Sequence, residues 1–323
     1  MTYFIKKIYV AIALLSIISI GYAYGDYQNT SCQPCGCGKG FISAELLYWR
    51  AFESGLDTCV PKEVTDIVTP DGTVISTFRG EGRDPHFRWD PGFRIATGYE
   101  FACSDWGVAA AWTHFNSRTD SSNNSRLRWN IRLDEIDILA GYDYKVGSCF
   151  ALMPYAGVRG VRIDQKVHAG EFGSSSSSLS STSLSTSSSI PDFFFSNRHH
   201  KERFSGVGPL FGLEADWNIG CGFSFYANAS VSWLYGKFDI RLTEADEIFG
   251  GFNFCSVRKR LDAILTAADA GIGIRWKQCV CENMELFFQL GLEHHRYFDF
   301  NRIGDCCGDL SFDGLNFSAA IEF

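Results

Sequence analysis

The feature that most constrains this chain is a repeated alternation of apolar and polar residues, which is plainest in its last eight residues, NFSAAIEF. Apolar side chains stand at Leu315, Phe317, Ala319, Ile321 and Phe323, with Asn, Ser, Ala and Glu between them. A period of two predicts a β-strand with one apolar face. Because chain ends fray unless something holds them, a strand that reaches the last residue predicts pairing with another strand.

The same alternation recurs in nine further segments, each close to the roughly 9 to 11 residues that a tilted strand needs to cross a bilayer. These segments begin at Ile42, Phe93, Trp106, Ile136, Phe150, Val207, Phe223, Ala268 and Leu286. Together with the C-terminal segment they predict ten strands, with twelve as the alternative count. The pattern therefore predicts an all-β fold, an antiparallel transmembrane β-barrel.

The connections between these segments alternate in length. Four are short, at 102–107, 145–149, 218–222 and 277–283, and five are long and polar, at 53–86, 116–128, 165–203, 241–260 and 299–309. Short periplasmic turns and long external loops are typical of an outer-membrane barrel, and an even strand number puts both termini at the periplasmic end. The alternative is a soluble β-sandwich, but its strands should be shorter and its loops would not sort by length.

The N-terminal 25 residues predict a secretory signal peptide, because Lys6 and Lys7 precede a 13-residue apolar run that is short for a transmembrane helix. We therefore expect a signal peptide at 1–25, a cysteine-rich periplasmic segment at 26–40 and a barrel at 41–323. Within the barrel, a Ser-rich external loop is expected at 171–200. Its tract from Ser174 to Ile190 favours a flexible spacer, with a binding role as the alternative.

Composition and motifs exclude several classes of function. A net charge of -8 and a pI near 5.4 argue against nucleic acid or an anionic membrane surface as partner. The sequence contains no GxSxG element, paired-carboxylate spacing or Gly-rich phosphate loop, so we expect neither an enzyme nor a cofactor. The pairs His199–His200 and His294–His295 favour solvated surface positions, because neighbours in a strand point to opposite faces.

Twelve cysteines in an exported chain favour disulfides over reduced metal ligands. The motif CQPCGCG lacks a second pair of ligands at metal spacing, so no metal site is expected. Turns spread around a barrel rim cannot all meet within the roughly 4.4 to 6.8 Å Cα separation of a disulfide, so some cysteines should stay free or reach another chain. The alternative is that every cysteine pairs within the chain or that the rim thiols are idle. The disulfide candidates at the periplasmic end are Cys32, Cys35, Cys37, Cys103, Cys149, Cys221, Cys279 and Cys281.

If the apolar face of each strand meets lipid, the opposite face lines the lumen with charged residues. A charge-lined lumen favours a pore that sorts solutes, whereas an ion-pair network that fills a narrow barrel is the alternative. Phe323 is expected to close the barrel, and it resembles the signal by which bacterial outer-membrane proteins are recognised by the insertion machinery. The predicted pore-lining residues are Arg94, Glu100, Asp137, Arg159, Glu214, Asp269, Arg275 and Glu293.

The segments FISAELLYWRAFESGLD and LNFSAAIEF, with the signal peptide and many cysteines, resemble the porin family described in Legionella and in chlamydia-related bacteria. This family is likened to the chlamydial major outer membrane protein. The resemblance implies a pore-forming protein of the bacterial outer membrane, surrounded by outer-membrane lipid. It also implies an envelope in which disulfides link the chain to itself or to other proteins, which would be a second, structural role.

Overall fold

The computed structural model describes residues 38–54, 65–68, 74–77, 87–102, 104–120, 126–175, 192–248, 251–281, 284–303 and 306–323. Among these residues, no helix is long and apolar enough to cross a membrane. The strands are β1 (Lys39–Glu53), β2 (Thr65–Val68), β3 (Val74–Thr77), β4 (Trp89–Glu100), β5 (Trp106–Asp120), β6 (Arg126–Tyr142), β7 (Tyr144–Val146), β8 (Phe150–Ser175), β9 (Asp192–Gly220), β10 (Phe223–Ile248), β11 (Gly251–Cys281), β12 (Met284–Ile303) and β13 (Cys306–Glu322).

Ten of these strands form one closed antiparallel barrel, which confirms the predicted fold and the predicted strand number. Successive wall strands pair from β4 through β6 and from β8 through β13, and the β6–β8, β1–β4 and β1–β13 pairings complete the ring. The short strand β7 pairs only with β8. No edge strand is left in the wall. Closure matters because an unpaired backbone group in lipid costs several kcal/mol.

The C-terminal strand closes the barrel at its last residue. β13 pairs with β1 from Leu310 to Glu322, and Phe323 then exchanges two backbone hydrogen bonds of 2.8 Å with Gly40. The Phe323 ring is exposed on the outer surface of the barrel. The alternation that runs from Leu315 through NFSAAIEF therefore places Leu315, Phe317 and Ile321 towards lipid.

The chain reverses at the periplasmic end in tight turns. At the turn between β9 and β10, Cys221 and Gly222 have φ angles of 55° and 80°. Two successive left-handed residues are typical of a type I′ hairpin, whose twist matches that of the flanking strands. A Cβ on Gly222 would lie 2.3 Å from the carbonyl oxygen of Lys277, so only glycine fits there.

The external ends of the barrel differ from the sequence prediction. Residues predicted as long loops continue as strand: β8 runs to Ser175, β9 begins at Asp192, and β10 and β11 are separated only by residues 249–250. The wall therefore extends well beyond the apolar band on this side. Of the predicted Ser-rich loop at 171–200, both ends are strand and residues 176–191 lie outside the described residues.

A short hairpin interrupts the connection between β1 and β4. Strands β2 and β3 form a separate two-stranded sheet with Ile67 opposite Ile75.

Candidate functional site in the barrel lumen

The periplasmic half of the lumen holds a cavity of about 700 Å³, which we call the vestibule. It reaches the periplasmic turn at Gly147, Ser148 and Cys149, and every wall strand contributes to its lining. Small inward residues such as Ser43 and Ala111 leave this space unfilled. All eight residues predicted to line a pore lie in its wall: Arg94, Glu100, Asp137, Arg159, Glu214, Asp269, Arg275 and Glu293.

The lining of the vestibule is acidic overall, which gives a mobile cation a lower electrostatic energy there than an anion. Its carboxylates are Glu100, Glu135, Asp137, Asp143, Glu214, Asp216, Asp269, Glu293 and Glu322, and its lysines and arginines are Arg94, Lys145, Arg159, Arg275 and Lys277.

One ion-pair cluster stands on the vestibule wall itself. Arg275 of β11 donates hydrogen bonds to Asp216 at 2.9 Å and to Glu214 at 2.8 Å, both on β9. Its Nε also donates to the side-chain oxygen of Gln289 at 3.1 Å. Two carboxylates around one guanidinium leave this cluster negative.

Deeper in the lumen, Arg94 of β4 links three strands. Its Nη1 lies 2.7 Å from the Glu45 carboxylate on β1 and 3.0 Å from that of Glu293 on β12. Its Nε donates to the hydroxyl of Thr113 at 3.0 Å, and the Asn316 amide donates to both carboxylates. Nε, Nη1 and Nη2 of Arg94 each donate to an oxygen, which fixes the side chain across the lumen.

Arg159 of β8 makes the corresponding link on the other side. It donates two hydrogen bonds of 2.8 Å to Asp137 on β6 and one of 2.5 Å to Asp269 on β11. Its Nη2 also lies 3.4 Å from Glu135, whose other oxygen accepts a hydrogen bond of 2.7 Å from Tyr297. Arg159 is only 4% exposed, so this is a buried ion cluster.

His295 of β12 joins the two arginine clusters. Its Nδ1 lies 2.8 Å from Asp269 and its Nε2 lies 3.2 Å from Glu293. Both contacts are hydrogen bonds only if both ring nitrogens carry protons, because an ionised carboxylate accepts and does not donate. The resulting continuous set, which we call the charged belt, consists of Glu45, Arg94, Glu293, His295, Asp269, Arg159, Asp137 and Glu135.

Beyond the charged belt, towards the external end, the lumen is filled by apolar side chains. The Trp49 ring lies 4.5 Å from that of His295 and 5.4 Å from that of Phe115, so this filling rests directly on the belt. Further out, Phe238 packs 4.7 Å from Phe204 and 5.7 Å from Phe300 between ring centroids. We call the fully buried rings of this region the aromatic closure: Trp49, Phe115, Phe204, Phe238, Tyr297, Phe300 and Phe312.

The lumen thus has three levels: the acidic vestibule, the charged belt that forms the inner end of the vestibule wall, and the aromatic closure beyond it. Among the described residues, no group of three or more His, Cys, Asp or Glu side chains is arranged to hold a metal ion. The charge-lined cavity therefore ends at packed apolar rings.

A family model described as the Legionella pneumophila major outer membrane protein precursor matches residues 32–321 of the chain. The chain belongs to this family. The match includes every wall strand and ends at Ile321, two residues before the end of the chain, so it also places the protein in the outer membrane. The comparison with curated proteins finds no match.

Among solved structures, this family member is similar to other outer-membrane barrels. The outer membrane protease OmpT from Escherichia coli is 13% identical, with a TM-score of 0.44 over 91% of this chain and 99% of that one. OprG from Pseudomonas aeruginosa is 14% identical, with a TM-score of 0.31 over 88% and 97% of the two chains. Likenesses at this level support no statement on activity.

Sequence reasoning missed two parts of the site of this family member. His295 and His200 are buried, at 7% and 3% exposure, so the prediction of solvated surface is wrong for both. It holds for their neighbours, since His294 and His199 lie on the opposite face of each strand, where they are partly exposed. The aromatic closure was not predicted at all.

The cysteines fall into two groups. Cys149 and Cys221, in periplasmic turns, and Cys255, near the external end, are free and exposed. Cys279 is disulfide-bonded. Of the other predicted candidates, Cys32, Cys35, Cys37 and Cys103 lie outside the described residues, and Cys281 is described only as the last residue of β11.

Proposed function

We propose that the protein is a porin that rests in a closed state, with a solute path from the vestibule that opens only when the aromatic closure moves. The observation that carries this proposal is the position of the closure: the charge-lined cavity ends where the Trp49 ring packs against His295. The acidic lining favours small cations over anions. Membership of the family supports a non-enzymatic role.

The packing of the closure sets how often it can open. Phe204, Phe238 and Phe300 have no exposed surface, so opening transfers buried rings to water. Exposing two such side chains costs about 3 to 6 kcal/mol at the usual 1.5 to 3 kcal/mol for each. Since each 1.4 kcal/mol is tenfold in population, we expect an open fraction below about 1 in 100.

Solute uptake into proteoliposomes tests the proposal. Liposomes that contain the refolded wild type should swell slowly in an isosmotic solution of a small sugar, and those with Phe238→Ala/Phe300→Ala should swell at least tenfold faster. Phe211→Ala is the matched control, because Phe211 faces lipid and is 49% exposed. Equal swelling with the wild type and the double variant would contradict the closure.

The second candidate is a structural barrel that never conducts. It is favoured by the charged belt and the aromatic closure, since both span the lumen, and buried ion pairs of this kind hold neighbouring strands in fixed geometry. The same assay separates the two functions. A structural barrel gives no swelling with the wild type under any condition, whereas a porin at rest gives slow swelling that rises as the closure is weakened.

We also propose the disulfide-linked structural role in the envelope that the sequence suggests. It is supported by the free, exposed thiols of Cys149 and Cys221 at the periplasmic end. Non-reducing electrophoresis of envelopes, with thiols blocked at lysis, should show high-mass species that collapse to one band on reduction. Cys149→Ser/Cys221→Ser should weaken these species, and Cys255→Ser, on the external side, is the control. If the protein migrates only as a monomer without reductant, this part of the proposal is contradicted.

A further inference from the structure

Each wall strand has two partners, but β11 runs on past one of them and leaves an unpaired edge at the external end. β11 pairs with β10 from Gly251 to Trp276. With β12 it pairs only from Ala267, which lies opposite Tyr297. In the described part of the chain, no strand pairs with residues 251–266 on the side away from β10. We call this side of residues 251–266 the free edge.

β12 leaves the free edge uncovered because it bends into the lumen at this level. Asp299 has a φ angle of 52°, and the pairing of β12 with β13 is interrupted between Tyr297 and Asn301. The Phe300 ring is fully buried in the aromatic closure, 5.7 Å from that of Phe238. The packing of the closure therefore keeps β12 away from the free edge.

Most of the free edge stands in water. Tyr235, the last large lipid-facing side chain of β10, lies opposite Ile264, so residues 254–260 lie outside the apolar band. All side chains of residues 254–260 are exposed. Phe254 and Val257, on opposite faces of the strand, are 71% and 52% exposed. A long unpaired edge with exposed apolar side chains is a site at which another strand is expected to pair.

The charge of the free edge argues against a second copy of the chain as its occupant. Arg258, Lys259 and Arg260 are consecutive, and Asp262 is the one carboxylate in residues 251–266. An antiparallel copy that covered the whole free edge would place Arg258 opposite Lys259 twice, and like charges directly opposite destabilise a sheet. Lysine and arginine on an edge strand thus hinder self-pairing.

The same cations favour an added strand that carries carboxylates. Asp239 of β10 lies 2.5 Å from Arg258 and 3.6 Å from Arg260, but it also lies 3.4 Å from Arg241, so one carboxylate serves three guanidinium groups. A positive excess remains on the outer face of the sheet, where Arg258 and Arg260 lie two residues apart. Carboxylates at every second position of an added strand would lie opposite both arginines.

We propose that the free edge binds an extended segment of another protein by β-strand addition, and that this segment carries carboxylates at every second position. Backbone hydrogen bonds along the edge supply the affinity, and the alternating side chains supply the selectivity. The carboxylates meet Arg258 and Arg260 on the outer face, while apolar side chains between them cover Val257 on the other face. The site lies outside the lumen, so it is independent of whether the closure opens.

Binding of a dye-labelled peptide of four Glu-Val repeats to the refolded protein in zwitterionic detergent tests the proposal. Fluorescence anisotropy should show at least about tenfold tighter binding than that of the matching Lys-Val peptide, because cross-strand pairs of opposite charge are replaced by pairs of like charge. A peptide of the same composition, with four Glu followed by four Val, should also bind at least about tenfold more weakly, because it lacks the alternation.

Charge reversal provides a matched pair of variants. Arg258→Glu/Arg260→Glu should invert the order of the two repeat peptides, so that the Lys-Val peptide binds more tightly. Lys166→Glu/Lys201→Glu makes the same charge change on β8 and β9 at positions that are paired on both sides, and it should leave the order unchanged. Hydrogen exchange at the amides of residues 251–266 should slow when the Glu-Val peptide binds to the wild type. Retained heat-modifiable migration shows that each variant is folded.

Several results would overturn the proposal. Absence of binding of the Glu-Val peptide, or equal binding of the repeat and block peptides, would rule out strand addition by an acidic segment. Inversion of the order in Lys166→Glu/Lys201→Glu would show that the charge of the whole external wall decides. Unchanged hydrogen exchange in residues 251–266 would place the peptide elsewhere. A wild type that dimerises in detergent and becomes monomeric when the Glu-Val peptide is added would assign the free edge to a second copy.

Discussion

The two halves of the lumen differ as much as the core and the surface of an ordinary protein do, although the same ten strands build both. At the periplasmic end the inward residues are charged or small and enclose the vestibule. At the external end most of them are fully buried aromatic and aliphatic side chains, with the polar side chains of Gln165, His200, Glu202 and Asn301 buried among them. The outer surface explains the difference. Where the wall meets lipid, its apolar residues face out and its polar residues face in. Where the wall stands in water, the apolar residues face in and the polar residues face out.

The difference between the two halves is tested most strongly at the charged belt, where the polar half of the lumen meets the apolar half. Arg159→Met should lower the free energy of unfolding by about 3 to 5 kcal/mol, because it takes the guanidinium away from the carboxylates of Asp137, Glu135 and Asp269. Asp269 then keeps its contact with His295, and Glu135 keeps the hydrogen bond from Tyr297. Arg275→Met, in the more open vestibule, should cost less than half as much. Urea unfolding in detergent micelles measures both, and equal losses would contradict a buried belt distinct from the vestibule.

A second change compares the two faces of one strand. Phe312→Ala on β13 should cost about 3 kcal/mol, because Phe312 is fully buried in the aromatic closure and its removal leaves a cavity. Phe317→Ala, five residues on and facing lipid, should cost less than half of that, since lipid chains fill the space. The midpoint of heat-modifiable migration reports the difference. A larger loss from Phe317→Ala would mean that the closure is loosely packed.

The acidic excess of the vestibule makes a smaller, electrostatic prediction. In the Phe238→Ala/Phe300→Ala background, Arg275→Glu should raise the cation-to-anion permeability ratio severalfold, because a field in a narrow aqueous path acts directly on the ion. Reversal potentials in a salt gradient measure the ratio. Lys237→Glu, on the outer surface, is the control with the same charge change, and an equal shift there would place Arg275 outside the path.

The smallest predicted effect concerns the water-facing surface. The hydrogen bond from Arg258 depresses the pKa of Asp239, so this carboxylate stabilises the fold above the usual aspartate value and loses that contribution as the pH falls below about 4. Asp239→Asn should therefore flatten the dependence of stability on pH in the acid range. Unfolding midpoints between pH 6 and pH 2 test this, and an unchanged slope would contradict the depressed pKa.

The sequence was sufficient for the fold because the constraint on a membrane strand is local. Apolar residues such as Ile42, Leu46 and Phe317 alternate with polar residues such as Glu45 and Asn316. This alternation identifies each strand and its lipid-facing side, and counting such segments gives the number of strands. Closure of the barrel follows from the cost of an open sheet edge in lipid. The charged residues of the vestibule could be predicted for the same reason, since each lies on the face of its strand that points away from lipid.

The aromatic closure was missed because the alternation was interpreted with one phase throughout. In β6 the apolar residues are Trp129, Ile131 and Leu133 at odd positions, and then Ile136 and Ile138 at even positions. That change of phase marks the level where the wall leaves the lipid, and it was present in the sequence. The partners of His295 could not be found in this way, because Asp269 lies opposite it only in the register that the β11–β12 pairing adopts, and Glu293 is two residues earlier on its own strand.

Single-channel recording in a planar bilayer tests the central claim, that packed aromatic rings close the lumen, most directly. The wild type should be closed for at least 99% of the time, in keeping with the cost of exposing two buried rings, with only brief openings. Phe238→Ala/Phe300→Ala should conduct in sustained steps and remain cation-selective. A wild type that conducts continuously at the level of the double variant would contradict the claim.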